Sequence, residues 1–195
     1  MRPQSDWDVE GPTSGFAAFM RNFSGNRRTT LERRAAFAAM TATPALALAA
    51  ILIEGQALAI WQIVVLMALA VDLGGGVFVN ATAAAKRWFH RIGARDWHHL
   101  AFVLLHIHPL LIAWLLPEFG WVWAAYLYAA TVTSTVIVLA CPLYLRRPMA
   151  LTAAAFVLAV APLLAGTPLL LAWIAPFYVL KLLVAHIVHE EPYAA

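Results

Sequence analysis

Apolar residues in this chain fall in six long blocks, at about 35 to 53, 57 to 79, 98 to 116, 120 to 141, 149 to 165 and 168 to 188, with polar residues gathered between them. Each block is close to the roughly 20 residues that an α-helix needs to cross about 30 Å of hydrocarbon. The breaks are chemically marked, at Glu54-Gly55-Gln56, the basic stretch Asn80 to Trp97, Pro117-Glu118, Leu145-Arg146-Arg147-Pro148 and Gly166-Thr167-Pro168. No ten-residue alternation of apolar and polar positions occurs, which excludes a membrane β-barrel. The pattern predicts an all-α membrane protein, a six-transmembrane-helix bundle over residues 35–189, with an N-terminal segment 1–34 and a short tail 190–195.

Composition makes the same point from the surface. Of 195 residues, 63% are apolar and only 12% are Asp, Glu, Lys or Arg, against about 25% charged in a soluble domain. So few charges cover a domain of this size only if lipid replaces water around most of it. A soluble enzyme and a disordered tail are excluded, and the single Cys141 excludes a disulfide-stapled module.

Charge then sets the orientation, because Lys and Arg in short loops stay on the cytoplasmic side. Arg2, Arg21, Arg27, Arg28, Arg33 and Arg34 precede the first span, Lys86, Arg87, Arg91 and Arg95 follow the second, and Arg146 and Arg147 follow the fourth. The opposite loops carry Glu54 and Glu118. Both termini are therefore expected in the cytoplasm, and the protein in the cell (inner) membrane as a multi-pass chain. Trp61, Trp114, Trp121, Trp123 and Trp173 are expected at the outer interface and Trp88 and Trp97 at the inner one. Ahead of the first span, Phe16, Phe19, Met20 and Phe23 at helical spacing between Ser14-Gly15 and Ser24-Gly25 predict an amphipathic helix on the inner leaflet. Thr29 followed by Glu32 reads as a capping box that opens the first span.

Ionisable residues inside spans cost about 2.5–3.5 kcal/mol near the membrane centre and mark candidate sites. Asp72 lies seven residues before Val79 and Lys181 seven before Val188, so both sit about 10 Å below the inner surface and can pair. All seven histidines are expected on that same inner half of the membrane. At 100° per residue His99 and His106 fall about 20° apart on one stripe, while His108 turns away. His186 and His189 are three apart, with Glu190 at i+4 from His186. His90, His98 and His108 read as interfacial or packing residues. The candidate metal ligands are Asp72, His99, His106, His186 and His189, of the types that hold Zn or Fe between facing helices, with Lys181 and Glu190 supplying charge or protons. Gly74-Gly75-Gly76, directly after Asp72, would let a neighbouring helix approach closely. Pro109 and Pro176 free the carbonyls of Leu105 and Ala172. Asn80-Ala81-Thr82 matches a glycosylation sequon but is expected on the cytoplasmic side, as a polar helix-end turn.

The leading reading is a membrane metalloenzyme acting on a lipid-like substrate, similar in its ingredients to intramembrane hydrolases of the ceramidase type, which use three His and an Asp. A haem-binding electron carrier is the alternative, since helices each offering a His can ligate haem axially. Arg91-Ile92-Gly93 followed by Leu105-His106 faintly resembles the third span of ferric-reductase-like membrane domains, although the fifth span here has no histidine. A transporter or proton relay lacks support, because the polar residues do not continue outward past mid-depth, whereas a purely structural or assembly protein remains open. The bilayer is the expected partner. Nucleic acid is not, because the net charge of +3 and the pI of 9.4 come from the arginines and lysines that orient the chain.

Overall fold

The computed structural model describes residues 14–25, 28–116, 120–164 and 169–190. The expectations placed on Arg2, Arg27, Pro117-Glu118, Gly166-Thr167-Pro168, the Phe23 side chain and the tail beyond Glu190 lie outside the described residues. Within them the protein is all helical, with no strand.

Helix α1 (Gly15–Ser24) forms where the amphipathic segment is expected and leaves Phe16 and Phe19 exposed beside each other, ring centroids 6.2 Å apart. Helix α2 (Thr30–Glu54) opens on the Thr29/Glu32 capping box: Thr29 Oγ1 accepts the Glu32 N–H at 3.0 Å and Glu32 Oε2 accepts the Thr29 N–H at 2.7 Å. It closes on Gly55 in the left-handed region. Helix α3 (Ile60–Ala81) is anchored at its start by Gln62, whose side chain takes the Ala59 N–H and donates to the Leu115 carbonyl at 3.1 Å. Thr82 then caps the short α4 (Ala83–Phe89), accepting the Ala85 N–H at 3.2 Å.

The third apolar block is not one helix. Helix α5 (Asp96–Leu105) stops, and α6 (His108–Leu115) begins, around His106-Ile107. The cause is Pro109 at the start of α6, which has no N–H to continue the ladder. Each carbonyl released around the break has another donor. The Val103 carbonyl takes the His106 N–H, that of Leu105 takes the Ile107 N–H at 3.0 Å, and that of Leu104 takes the Tyr128 hydroxyl at 2.9 Å.

Helix α7 (Trp121–Ala140) and α8 (Leu143–Val160) follow, α8 ending in a 3₁₀ turn at Ala161–Leu163. Arg146 closes their junction, donating to both Asp96 carboxylate oxygens at 2.9 and 2.8 Å and to the Leu139 carbonyl at 2.7 Å. After a 3₁₀ turn at Leu169–Leu171, α9 (Ile174–Val179) continues as a π-helix over Leu180–His186. This last run packs against α3, α7 and α8, and most of it is buried, with Ile174, Tyr178, Leu182, Leu183 and Ile187 fully covered while Leu180 stays exposed.

Among the described residues, five helices are long and apolar enough to cross a membrane: Thr30–Glu54, Ile60–Ala81, the joined Asp96–Leu115, Trp121–Ala140 and Leu143–Leu163. The sixth apolar helix, Ile174–His186, is shorter than the expected 168 to 188. Large apolar side chains such as Phe37, Ile53, Val64, Leu105 and Phe156 cover the outside, as lipid contact requires and water disfavours. Trp61, Trp114 and Trp121 are exposed as a belt would need, but Trp123 and Trp173 are core residues; Trp173 Nε1 donates to the Leu170 carbonyl at 2.6 Å.

Candidate functional site

Asp72 and Lys181 do pair. Lys181 Nζ donates to Asp72 Oδ2 at 2.5 Å, and His108 Nε2 reaches the same oxygen at 3.1 Å. The glycines explain how. A Cβ on Gly76 would lie 2.5 Å from Lys181 Cε and 2.6 Å from Cδ, so the lysine stem passes over α3 only where no side chain stands. Gly74 and Gly75 face α2 instead, where a Cβ would run into Thr43 and Met40. The glycine patch therefore both packs the first two long helices and admits the cation from the last.

Next to this pair lies a cavity of about 260 Å³. Its walls include Met40, Val71, Val79 and Phe102, and its polar groups are Asp72, Lys181, His106, Asn22 and Asn80. His106 Nδ1 contacts the Phe102 carbonyl at 2.6 Å; a carbonyl only accepts, so Nδ1 carries the hydrogen and Nε2 of the neutral ring keeps its lone pair. The His106 carbonyl in turn accepts the Tyr178 hydroxyl at 2.8 Å. Asn80 is 4% exposed and its Nδ2 has no hydrogen-bond partner among the described residues. A buried amide donor left unpaired costs about 1–3 kcal/mol, so an acceptor that reached Asn80 Nδ2 would be favoured.

A second cluster stands at the α4 end. His99 Nδ1 and His186 Nε2 are 3.2 Å apart. His90 stacks on His99 with centroids 4.5 Å apart, and its Nε2 donates to the His186 carbonyl at 3.0 Å. His189 lies edge-on to His90 at 5.0 Å, and Phe102 stacks on His186 at 3.8 Å. Lys86 is 2% exposed and donates to the carbonyls of Ala185 and Val188 at 2.7 and 2.5 Å, capping the end of the π-helix. Burial lowers the Lys86 ammonium to about 8, with the Glu190 charge opposing the shift. Burial first, then the neighbouring His99 and Lys86 charges, holds His90 well below the usual imidazole range, so it stays neutral.

The expected ligands thus divide between two places. Asp72 and His106 share the cavity beside α3, whereas His99, His186 and His189 gather around His90. Among the described residues no group of three or more His, Cys, Asp or Glu side chains is arranged to hold a metal ion. His99 and His106 line different cavities, with Phe102 in the wall of both. His108, which an unbroken helix would point away, is turned onto Asp72 by the break at His106-Ile107. His90, which the spacing places as an interfacial or packing residue, is the centre of the second cluster. Glu190 stands apart from Lys181, 4.0 Å from Arg147 Nε, because the helix stops before it reaches i+4 from His186. Pro109 carried the signal for the break; nothing in the residue pattern announced the π-helix. In i→i+5 bonding, residues five apart stack along one face, so Lys181 and His186 both face inward, at 3% and 2% exposure, where α-helical steps would set them about 140° apart.

Comparison with known proteins finds no family model, no curated protein and no solved structure that matches this chain.

Proposed function

We propose that the protein crosses the cell (inner) membrane six times with both termini cytoplasmic, and that it hydrolyses a lipid-like ester or amide bound in the cavity beside α3. The distribution of arginine and lysine supports the orientation. The last apolar run supports the sixth crossing, since the 3₁₀ turn at Leu169–Leu171 lengthens it ahead of Ile174–His186.

One observation carries the chemical reading. The cavity is mainly apolar, yet it ends on an imidazole with a free Nε2, an ammonium fixed by a carboxylate, and an unpaired buried amide donor. Apolar walls with a few convergent polar groups suit an amphiphile. In this reading His106 Nε2 takes the proton from a water whose oxygen adds to the carbonyl carbon, Lys181 stands against the oxyanion, and the proton then passes to the leaving oxygen or nitrogen. Asn80 Nδ2 donates to a substrate oxygen. Asp72 and His108 are positioning residues, Asp72 holding Lys181 charged and in place.

The test uses the full chain purified in mild detergent. Mass analysis of extracted lipid is expected to find a retained amphiphile in the wild type, and Val71→Trp, which fills the cavity mouth, is expected to lose it while staying folded. His106→Gln should keep the lipid and abolish release of fatty acid from ester lipids in nanodiscs. A wild-type preparation free of lipid, or one that releases no acyl chain from ester or amide lipids, sinks the reading.

A further inference from the structure

A second cavity, of about 320 Å³, opens beside the first. The two share Asn22, Phe89 and Phe102 in their walls, so they lie side by side. Their chemistry differs. The first runs along α3 from Ala68 to Asn80, about 18 Å at 1.5 Å per residue, and is largely apolar. The second is built from Trp88, Arg91, His98, His99 and His186, and Trp88 and Arg91 lie beyond the end of α3, at the level where lipid headgroups sit if α3 spans the membrane.

Positive charge is concentrated at that mouth. Arg91 Cζ lies 4.1 Å and Arg21 Cζ 4.3 Å from the centre of the Trp88 ring, so one indole holds two guanidiniums. Arg91 also donates to the Trp88 carbonyl at 2.6 Å, which fixes its direction. No carboxylate among the described residues forms a salt bridge with either guanidinium. Two like charges beside one ring repel, and an anion between them relieves that repulsion. One further group in the wall of this cavity lacks a partner among the described residues: Nδ1 of His186, a side chain 2% exposed.

We infer that the second cavity is the headgroup subsite for a phosphate-bearing lipid, with the phosphate on Arg91 and Arg21 and one acyl chain laid into the cavity beside α3. Guanidinium pairs suit phosphate oxygens through directed N–H donors. The apolar cavity next door makes the occupant a lipid phosphate and not a free one. This inference rests on the proposed lipid-like substrate and narrows it to an anionic class. It also accounts for the docking of α1, which brings Arg21 to Trp88. Gly25 at the end of that helix has φ +83° and packs so closely on the Ala84 backbone that no Cβ fits.

The test is native mass spectrometry of the full chain with three lipids of identical acyl chains: phosphatidylglycerol, phosphatidylcholine and diacylglycerol. The wild type is expected to bind phosphatidylglycerol at least tenfold better than phosphatidylcholine. Arg91→Gln and Arg21→Gln should each reduce that preference to under threefold while diacylglycerol binding stays within twofold of wild type. Equal binding of the two phospholipids, or a preference that survives both substitutions, overturns the headgroup subsite and leaves the lipid reading standing. Competition by inorganic phosphate as strong as by the intact lipid also overturns it, as a free-phosphate site. Failure of all three lipids to bind overturns the parent reading instead.

Discussion

Removing the Asp72 carboxylate while keeping Lys181 should be the most damaging single change at the candidate site. Lys181 Nζ lies 2.5 Å from Asp72 Oδ2, with side-chain exposures of 3% and 30%. At that distance and an effective dielectric of about 20, the attraction is about 7 kcal/mol before costs. Much of it offsets the several kcal/mol needed to take the ammonium out of water. Asp72→Ala leaves that cost without compensation and is expected to destabilise by about 3 kcal/mol, the low end for a broken buried pair because the carboxylate keeps some exposure. That is a change of about a hundredfold in the folding equilibrium. Lys181→Met leaves Asp72 with His108 and a partly open face, and should cost about 1–2 kcal/mol. The double variant Asp72→Ala/Lys181→Met should be more stable than Asp72→Ala alone, with a coupling of about 2 kcal/mol in a double-mutant cycle. Reversible unfolding in mixed micelles, followed by tryptophan fluorescence, measures all four corners. A coupling under about 0.5 kcal/mol would show that the two charges do not stabilise one another, since contacting partners exceed that value.

Three further outcomes follow from the packing. Gly76→Ala should cost about 1–3 kcal/mol in the same unfolding assay, because its Cβ would press on the Lys181 stem, and Lys181→Ala should remove most of that penalty. Gly25→Ala should release α1 from α4, through both positive φ and the blocked Ala84 contact; limited proteolysis near Arg21 should then become at least several-fold faster, and unchanged cleavage would show that α1 is not docked there. The third concerns pH. The folded state holds Lys86 at about 8, below an unfolded lysine near 10.4, so between those values the unfolded chain binds the extra proton. Stability should rise with pH across that window, by at most about 1.4 kcal/mol per unit, and the rise should be absent in Lys86→Met. Parallel pH profiles of the two proteins would show this contribution to be wrong.

Much of the helical layout was legible because lipid imposes a simple rule: every backbone polar group must be satisfied within its own segment, so long apolar runs become helices. Thr29 and Glu32 announced the start of α2 through complementary local hydrogen bonds, which need no tertiary context. The pairing of Asp72 with Lys181 was legible for a related reason, since two isolated charges at one depth in hydrocarbon have few alternatives. Trp123 and Trp173 were not, because interfacial preference and core packing draw on the same residue type.

The histidines show where the reading of residue spacing stops. A helical wheel assigns faces on the assumption of one uninterrupted helix. The break at His106-Ile107 and the π-helix at Leu180–His186 both violate that assumption. Each changes the angular step for every residue beyond it, which is how His108 comes to Asp72 and His186 comes to His99.

By itself the sequence determined a helical chain of long apolar runs, the buried charge pair, and the half of the protein in which polar chemistry gathers, because each follows from the cost of charge and unpaired backbone in hydrocarbon. The tertiary structure decided which histidine meets which partner, that the expected ligands separate into two clusters, and that two cavities lie side by side at Phe89 and Phe102. Those depend on local departures from ideal helix geometry, and such departures are set by packing between segments distant in the chain, which no one segment encodes.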